Sequence, residues 1–523
     1  MKHWIILAAL AAICGVGAAA QSRTGKVNFA NSGAATAQES FQGGLAQLHN
    51  FQYEQAEHLF RQAEASDPNF AMAYWGEALT HVHPLWNYED LAGARAVLQK
   101  LAPTAEQRAG KAGTEREKEY LHSIEVLFGE GDRDTRNQHY ADALALLHEH
   151  YPQDVDAAAL YALSLLGKQL ARDPATYMRA AAILEDYFPN NQQHPGVVHY
   201  LIHSYDDPVH APLGMRAARL YGKIAPDSGH ALHMTSHIFI AMGMWRDVIQ
   251  ANLESLASST RQSKSGADLA ASCNHGNSWL SYGYLQVGDF QRAHNVIASC
   301  MQKTFALPLD KSSYGYAQQM VAHYLVETQQ WNDSLLGQPA PPEQFPHALA
   351  TYWYSHAMAA AQRGDVAEAR KDFDALTSAH AAMLASLAKE AHPNMAAVSY
   401  AAIEEQQVKA VLLFGHGDKA QALEVLQEAA KKERAIPFEF GPPAVPKPSA
   451  ELVAELLMRL NRPLEAIQVL RDQLTRTPGK TATLSDLRDA AKLAKDSATQ
   501  KSAEEVLATN LAKAGPAEQR KNK

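Results

Sequence analysis

From about Glu39 onward, apolar residues recur at intervals of three and four, interrupted by short polar or glycine-containing gaps, and no stretch sustains an alternation of period two. The pattern predicts an all-α chain built from short helices. The clearest unit is Gly44 to Asn69: Leu45 and Leu48 share one helical face, Tyr53 falls in a turn, Ala56 and Phe60 share a face of the next helix, and Asp67-Pro68 closes it. The turn signature returns at Gly243-Met244-Trp245, at Gly288-Asp289-Phe290 with Ala293, at Gly364-Asp365 with Ala369 and at Gly417-Asp418 with Ala422. A glycine there ends one helix in a left-handed conformation, and an aspartate after it can cap the next. A last unit of this kind runs from Leu452 to Thr477, with Ala466 and Leu470 on its second helix and Pro478 beyond.

These units resemble the tetratricopeptide repeat, two antiparallel helices over about 34 residues with a small residue and an aromatic on the second helix and a proline after it. A lone hairpin of this type cannot bury its apolar face, so neighbours must stack into an α-solenoid superhelix with a concave inner surface. The resemblance implies that the first helix of each hairpin lines that surface. Read this way, the chain divides into a leader over 1–20, a flexible N-terminal segment over 21–38, and hairpins over 39–190, with a histidine-rich set over 191–335. Further hairpins follow over 336–435, then a proline-rich stretch over 436–449, C-terminal hairpins over 450–510 and a disordered tail over 511–523. Loops are expected at Ala102 to Gly113 and at Gln338 to Pro346. The proline-rich stretch, with five prolines around Phe438, Glu439 and Phe440, reads first as a linker and second as a strap across the groove.

The first residues change the picture of where such a chain works. Lys2 and His3 precede an apolar run from Trp4 to Val16, and Ala18-Ala19-Ala20 forms a small-residue exit, so a secretory signal cut near Ala20/Gln21 is expected. A lipidated Cys14 is disfavoured by Ile13, and no other apolar run approaches a membrane span. That predicts a periplasmic or secreted protein. Beyond the leader only Cys273 and Cys300 remain, flanking the Gly288 turn at similar heights, and in an oxidising compartment they are a candidate disulfide. With 47 Lys+Arg against 56 Asp+Glu and no basic block, the charge balance excludes a nucleic-acid partner.

Histidine is the unevenly distributed residue. Seven of the 24 fall between His194 and His237. His199/His203 and His233/His237 are H-x3-H pairs, each placing two imidazoles one turn apart on one helix face. The pairs are separated by 34 positions, one repeat period, which would set them at equivalent places on adjacent inner helices. Four imidazoles converging on the concave wall would suit a divalent transition metal such as zinc, copper or iron. His83, His194, Asp206, Asp207, His210, His230, His275 and His323 are candidate further ligands or outer partners. The bland alternative is that these histidines cap helices and bond within helix interfaces. Trp245, Trp279, Tyr282 and Tyr316 read as core residues.

No H-E-x-x-H, nucleophile elbow, phosphate-cradling glycine loop or haem attachment motif occurs, so the sequence assigns no catalytic residue. The segments Met72 to Ala78, His199 to Asp206, His230 to Phe239 and Phe440-Gly441-Pro442-Pro443 resemble those of a broad group of exported bacterial tetratricopeptide-repeat proteins. That resemblance implies a fold and a marked histidine surface, not a reaction. Three functions follow as expectations. The first is a binding protein holding a transition metal, or an acidic, peptide or small ligand, in the groove. The second is a metal-dependent enzyme of hydrolase or oxidase type using a metal-bound water, and the third an envelope protein-assembly scaffold without metal.

Overall fold

A computed structural model of the chain describes residues 23–168, 172–262, 272–306, 308–388 and 395–512. Over these residues the protein is an α-solenoid of tetratricopeptide-type hairpins, with twenty-four α-helices and one small antiparallel strand pair, Val82–His83 with Tyr88–Glu89. The turn glycines act as the pattern predicts: Gly243, Gly288, Gly364 and Gly417 all have positive φ, between +67° and +96°. Asp289 and Asp365 then accept from Arg292 N and Glu368 N in the helix that follows, whereas the Asp418 side chain makes no cap bond. One long core runs from Phe29 to Leu335 and a second from Ala322 to Ala503, so the stack is continuous. Among the described residues no helix is long and apolar enough to cross a membrane. The leader, Cys14 and the last eleven residues lie outside the described residues.

Four features depart from the sequence reading. The expected loop after Ala102 contains a short helix, Ala105–Ala109, closed by a capping box between Thr104 and Gln107. Tyr53, expected in a turn, instead opens the helix Tyr53–Ser66, while the hairpins over 450–510 end in Thr481–Ala494 and Ser497–Leu511. The segment expected to be flexible over 21–38 is, from Arg23 on, pinned. Phe29 is buried against Phe41, Trp75 and Tyr120, Lys26 N donates to Gln193 O, and Arg23 N donates to Asp227. Its lack of helical period conceals this, because an extended strip gains its order from the surfaces it crosses.

The proline-rich stretch is the fourth. It packs on the inner helices as a strap: Pro443 O accepts from His323 Nε2 at 2.9 Å, and Phe440 lies over His237 with ring centroids 5.1 Å apart. Beyond the strap the array returns to its own middle. Thr481 bonds Gln286 through both its N–H and its hydroxyl, Trp245 Nε1 donates to Gly479 O, and Gly243 packs on Pro478 and Gly479. The C-terminal hairpins therefore close onto the histidine-bearing ones.

Candidate metal centre

Three consecutive inner helices carry the histidines: Pro195–Ser204, Gly229–Ala241 and His275–Gln286. Each starts from a side-chain cap, by His194, Ser228 and Asn274, and the first opens with Pro195 at its first turn. The four expected imidazoles do not converge on one point. Each pair instead takes a third ring from the next stretch of chain, giving two triads, His199/His203/His230 and His233/His237/His275. His230 belongs to the same helix as His233 and His237 but sits one turn earlier, where it reaches back to the preceding helix.

In the first triad His199 Nε2 lies 3.1 Å from both His203 Nε2 and His230 Nε2. Its other nitrogen, Nδ1, donates to the backbone carbonyl of His49 at 2.7 Å, which leaves a single Nε2 lone pair facing two neighbours. In the second triad Asn252 Nδ2 donates to Val248 O, so its oxygen faces His233 Nδ1 at 2.7 Å and fixes that ring as an Nδ1–H donor. His237 Nδ1 donates to Asp206 Oδ2 at 2.6 Å. The two Nε2 atoms meet at 3.1 Å, each presenting a lone pair unless something positive stands between them. A proton would satisfy the pair, and so would a metal ion. An ion about 2.0–2.1 Å from each nitrogen would see the 3.1 Å pair at an angle of about 95–100°, between octahedral and tetrahedral values. His275 completes this triad, its Nδ1 held 3.2 Å from the Tyr316 hydroxyl.

Anchoring of the far nitrogen by a carbonyl, an amide and a carboxylate is how metal-binding imidazoles are usually oriented. Burial also disfavours the charged form of five of the six rings. Burial pushes His199 and His233 down to about 3, and it moves His203, His230 and His275 well below the ordinary histidine range, with neighbouring imidazoles adding to the effect. Aromatic rings close the walls: Phe51 stands 4.4 Å from His199, Tyr221 stacks on the same ring, and Trp279 lies 3.8 Å from His275. Phe51 holds φ +55° to reach that place, a conformation bulky residues rarely adopt. His230 and His275 are only partly buried, so each triad has one ring toward the outside.

The other candidates have separate roles. Asp206 is the outer partner of His237. Asp207 pairs with Arg172 and with His210, and the same Arg172 donates to the carbonyls of His203 and Ser204. His194 joins His49 on Asp156 in a group where every contact is an ordinary hydrogen bond. His49 Nδ1 accepts from Tyr200, His194 Nδ1 accepts from Val197 N, and both Nε2 atoms donate to Asp156. Burial drives the Asp156 carboxyl up, yet His194 and His49 hold it well below its usual range. That group braces the first triad through His49 O. His83 stacks on Tyr53 at 3.7 Å on the rim, and His323 anchors the strap. Asn252, Phe51, His49 and Trp86 carry no motif in the sequence and are marked only by their positions. Trp279 is core, with Tyr316 packed against that core, and both rings also wall the site beside His275.

Two devices fix the strap and the second triad. Gly441 has φ +98°, and a Cβ there would sit 2.3 Å from the Trp279 ring. Gly441→Ala is expected to lift the strap from Trp279, seen as new protease cleavage within 436–448 and a loss of about 1–3 kcal/mol in stability. Cys273 and Cys300 are joined in a disulfide across 27 positions, one residue before the Asn274 cap of the helix that begins at His275. The Cys273→Ser/Cys300→Ser variant should be about 2–4 kcal/mol less stable by denaturant titration.

The chain matches no protein-family model and no curated protein. Among solved structures it is similar to yeast Tom70, at 13% identity over 91% of this chain and 99% of that one with a TM-score of 0.35. It is also similar to human IFIT1 in complex with PPP-AAAA, at 13% identity over 91% of each chain with a TM-score of 0.36. The APC/C hetero-tetramer Cut9-Hcn1 aligns at 11% identity over 92% of this chain and 89% of that one with a TM-score of 0.32.

Proposed function

We propose that this chain is an exported metal-binding protein of tetratricopeptide type whose groove-facing histidines hold transition-metal ions. The observation that supports it above all is the His233–His237 contact: two rings oriented by Asn252 and Asp206 aim their remaining nitrogens at each other across 3.1 Å. Burial has already removed the protons that a metal would otherwise displace from most of the set. The metal-free scaffold reading has less support, since the groove beside the histidines is filled by the chain's own strap and not left open for a partner segment. An enzymatic role for the bound metal is favoured by one feature: the partly exposed His230 and His275 leave each triad accessible from one side, where a structural site would be closed. The export assignment rests on the leader.

The test is elemental analysis of untagged protein taken from its native compartment, and of the same protein stripped and reloaded with Zn(II) or Cu(II). Wild type should retain metal through gel filtration. His203→Ala/His237→Ala should lose it while keeping its helical content. Metal retained by that double variant, or absent from reloaded wild type, overturns the assignment.

A further inference from the structure

The two triads are not independent. His203 of the first faces His237 of the second with ring centroids 6.0 Å apart, and His230 faces His233 at 6.5 Å, spacings close to those between rings within each triad, 4.6 to 5.6 Å. Resting on the metal reading above, we propose that they form one dinuclear centre, with one ion per triad and a small anionic oxygen ligand, such as hydroxide, bridging the two.

The charge balance argues for the bridge. Six imidazoles offer nitrogen and no charge, so two divalent ions would place four positive charges in a largely buried site. The carboxylate in direct contact with a triad ring is Asp206, which is engaged with His237 on the side away from the metal position. Two like charges this close repel strongly in a dry environment unless an anion lies between them. Three protein ligands per ion would also leave coordination positions free for such an anion. The mouth is dressed for a ligand from outside. Trp86, 53% exposed, lies 5.6 Å from His230, and Phe440, 44% exposed, lies 5.1 Å from His237, so each triad has a solvent-facing aromatic ring at its edge. A set made wholly of imidazoles suits copper, which heads the affinity order for divalent ions.

The experiment uses full-length protein loaded with Cu(II) and desalted, with total copper and electron paramagnetic resonance spin count measured on the same sample. About two coppers per chain are expected, with an integrated spin well below the copper content, because a bridging anion couples the two unpaired electrons. His230→Ala and His275→Ala should each drop to about one copper per chain, and that copper should then be fully visible by spin count. His230→Gln and His275→Gln, which keep side-chain bulk, repeat the measurement if an alanine variant fails to fold. One copper in wild type, two coppers with full spin, or two coppers retained in either variant overturns the dinuclear centre while leaving metal binding intact. Absence of any copper defeats the metal reading itself.

Discussion

Lys480→Met is expected to cost about 3–5 kcal/mol and to release the last two helices from the rest of the molecule. Lys480 is 1% exposed and bonds Glu327 at 2.7 Å and Glu451 at 2.9 Å, whose side chains are both buried. Burial opposes the charge on Lys480, but the two carboxylates more than offset it and hold the ammonium well above its usual range. Burial likewise pushes the Glu451 carboxyl up, and Lys480, Lys447 and Thr483 together bring it down. Removing the ammonium strands two carboxylates in a dry site, which is costlier than never having buried the group. Because Lys480 stands at the N-cap position of Thr481–Ala494, the damage should be local. Amide hydrogen exchange should rise across 449–511 and along 311–328 before it rises in the first hairpins, and a uniform increase would contradict the assignment.

The second large effect is a loss of stability of the metal-free protein in mild acid. His199 and His233 titrate near 3 in the folded state and near 6.5 when unfolded, with His203, His230 and His275 depressed in the same sense. A depressed folded value means that the unfolded chain takes up protons first. The stability these groups supply is therefore complete above pH 6.5 and is lost progressively as the pH falls from there toward 3. Stripped protein should show a falling melting temperature below pH 6.5. Metal-loaded protein should melt higher by the equivalent of about 4 kcal/mol at a thousandfold excess over Kd, and should release its metal in the same acid window. A flat melting profile of the stripped protein between pH 7 and pH 5 would show that the rings are solvated rather than buried.

Much of this was legible in the sequence for a definable reason. Helical period and the glycine turns are local signals, so the hairpins and their handover at Gly243, Gly288, Gly364 and Gly417 could be read directly. The 34-residue separation of the two H-x3-H pairs placed them on neighbouring inner helices, because a repeat converts sequence distance into a fixed step in space. What the spacing could not give was the partition into triads. His230 lies on the helix of the second pair yet serves the first, and only the packing of helix on helix decides that. The outer partners were hidden for the same reason: His49 O and Asn252 Oδ1 approach from elements with no histidine pattern. The strap was ambiguous because proline removes periodicity, and with it any sign of which side of Phe440 is covered.

Residues 23–32 carry a consequence for the order in which the molecule is built. Arg23 pairs with Asp227, Lys26 with Gln193, Asn50 with Thr24, and Ser32 with Glu117, so the earliest stretch of the described chain finds its partners as far as two hundred residues downstream. During vectorial synthesis that stretch emerges before the histidine-bearing hairpins and must wait, unplaced, until they have appeared and docked. The head of the chain is then among the last pieces to be laid down, and it seals a seam whose two sides were made at very different times.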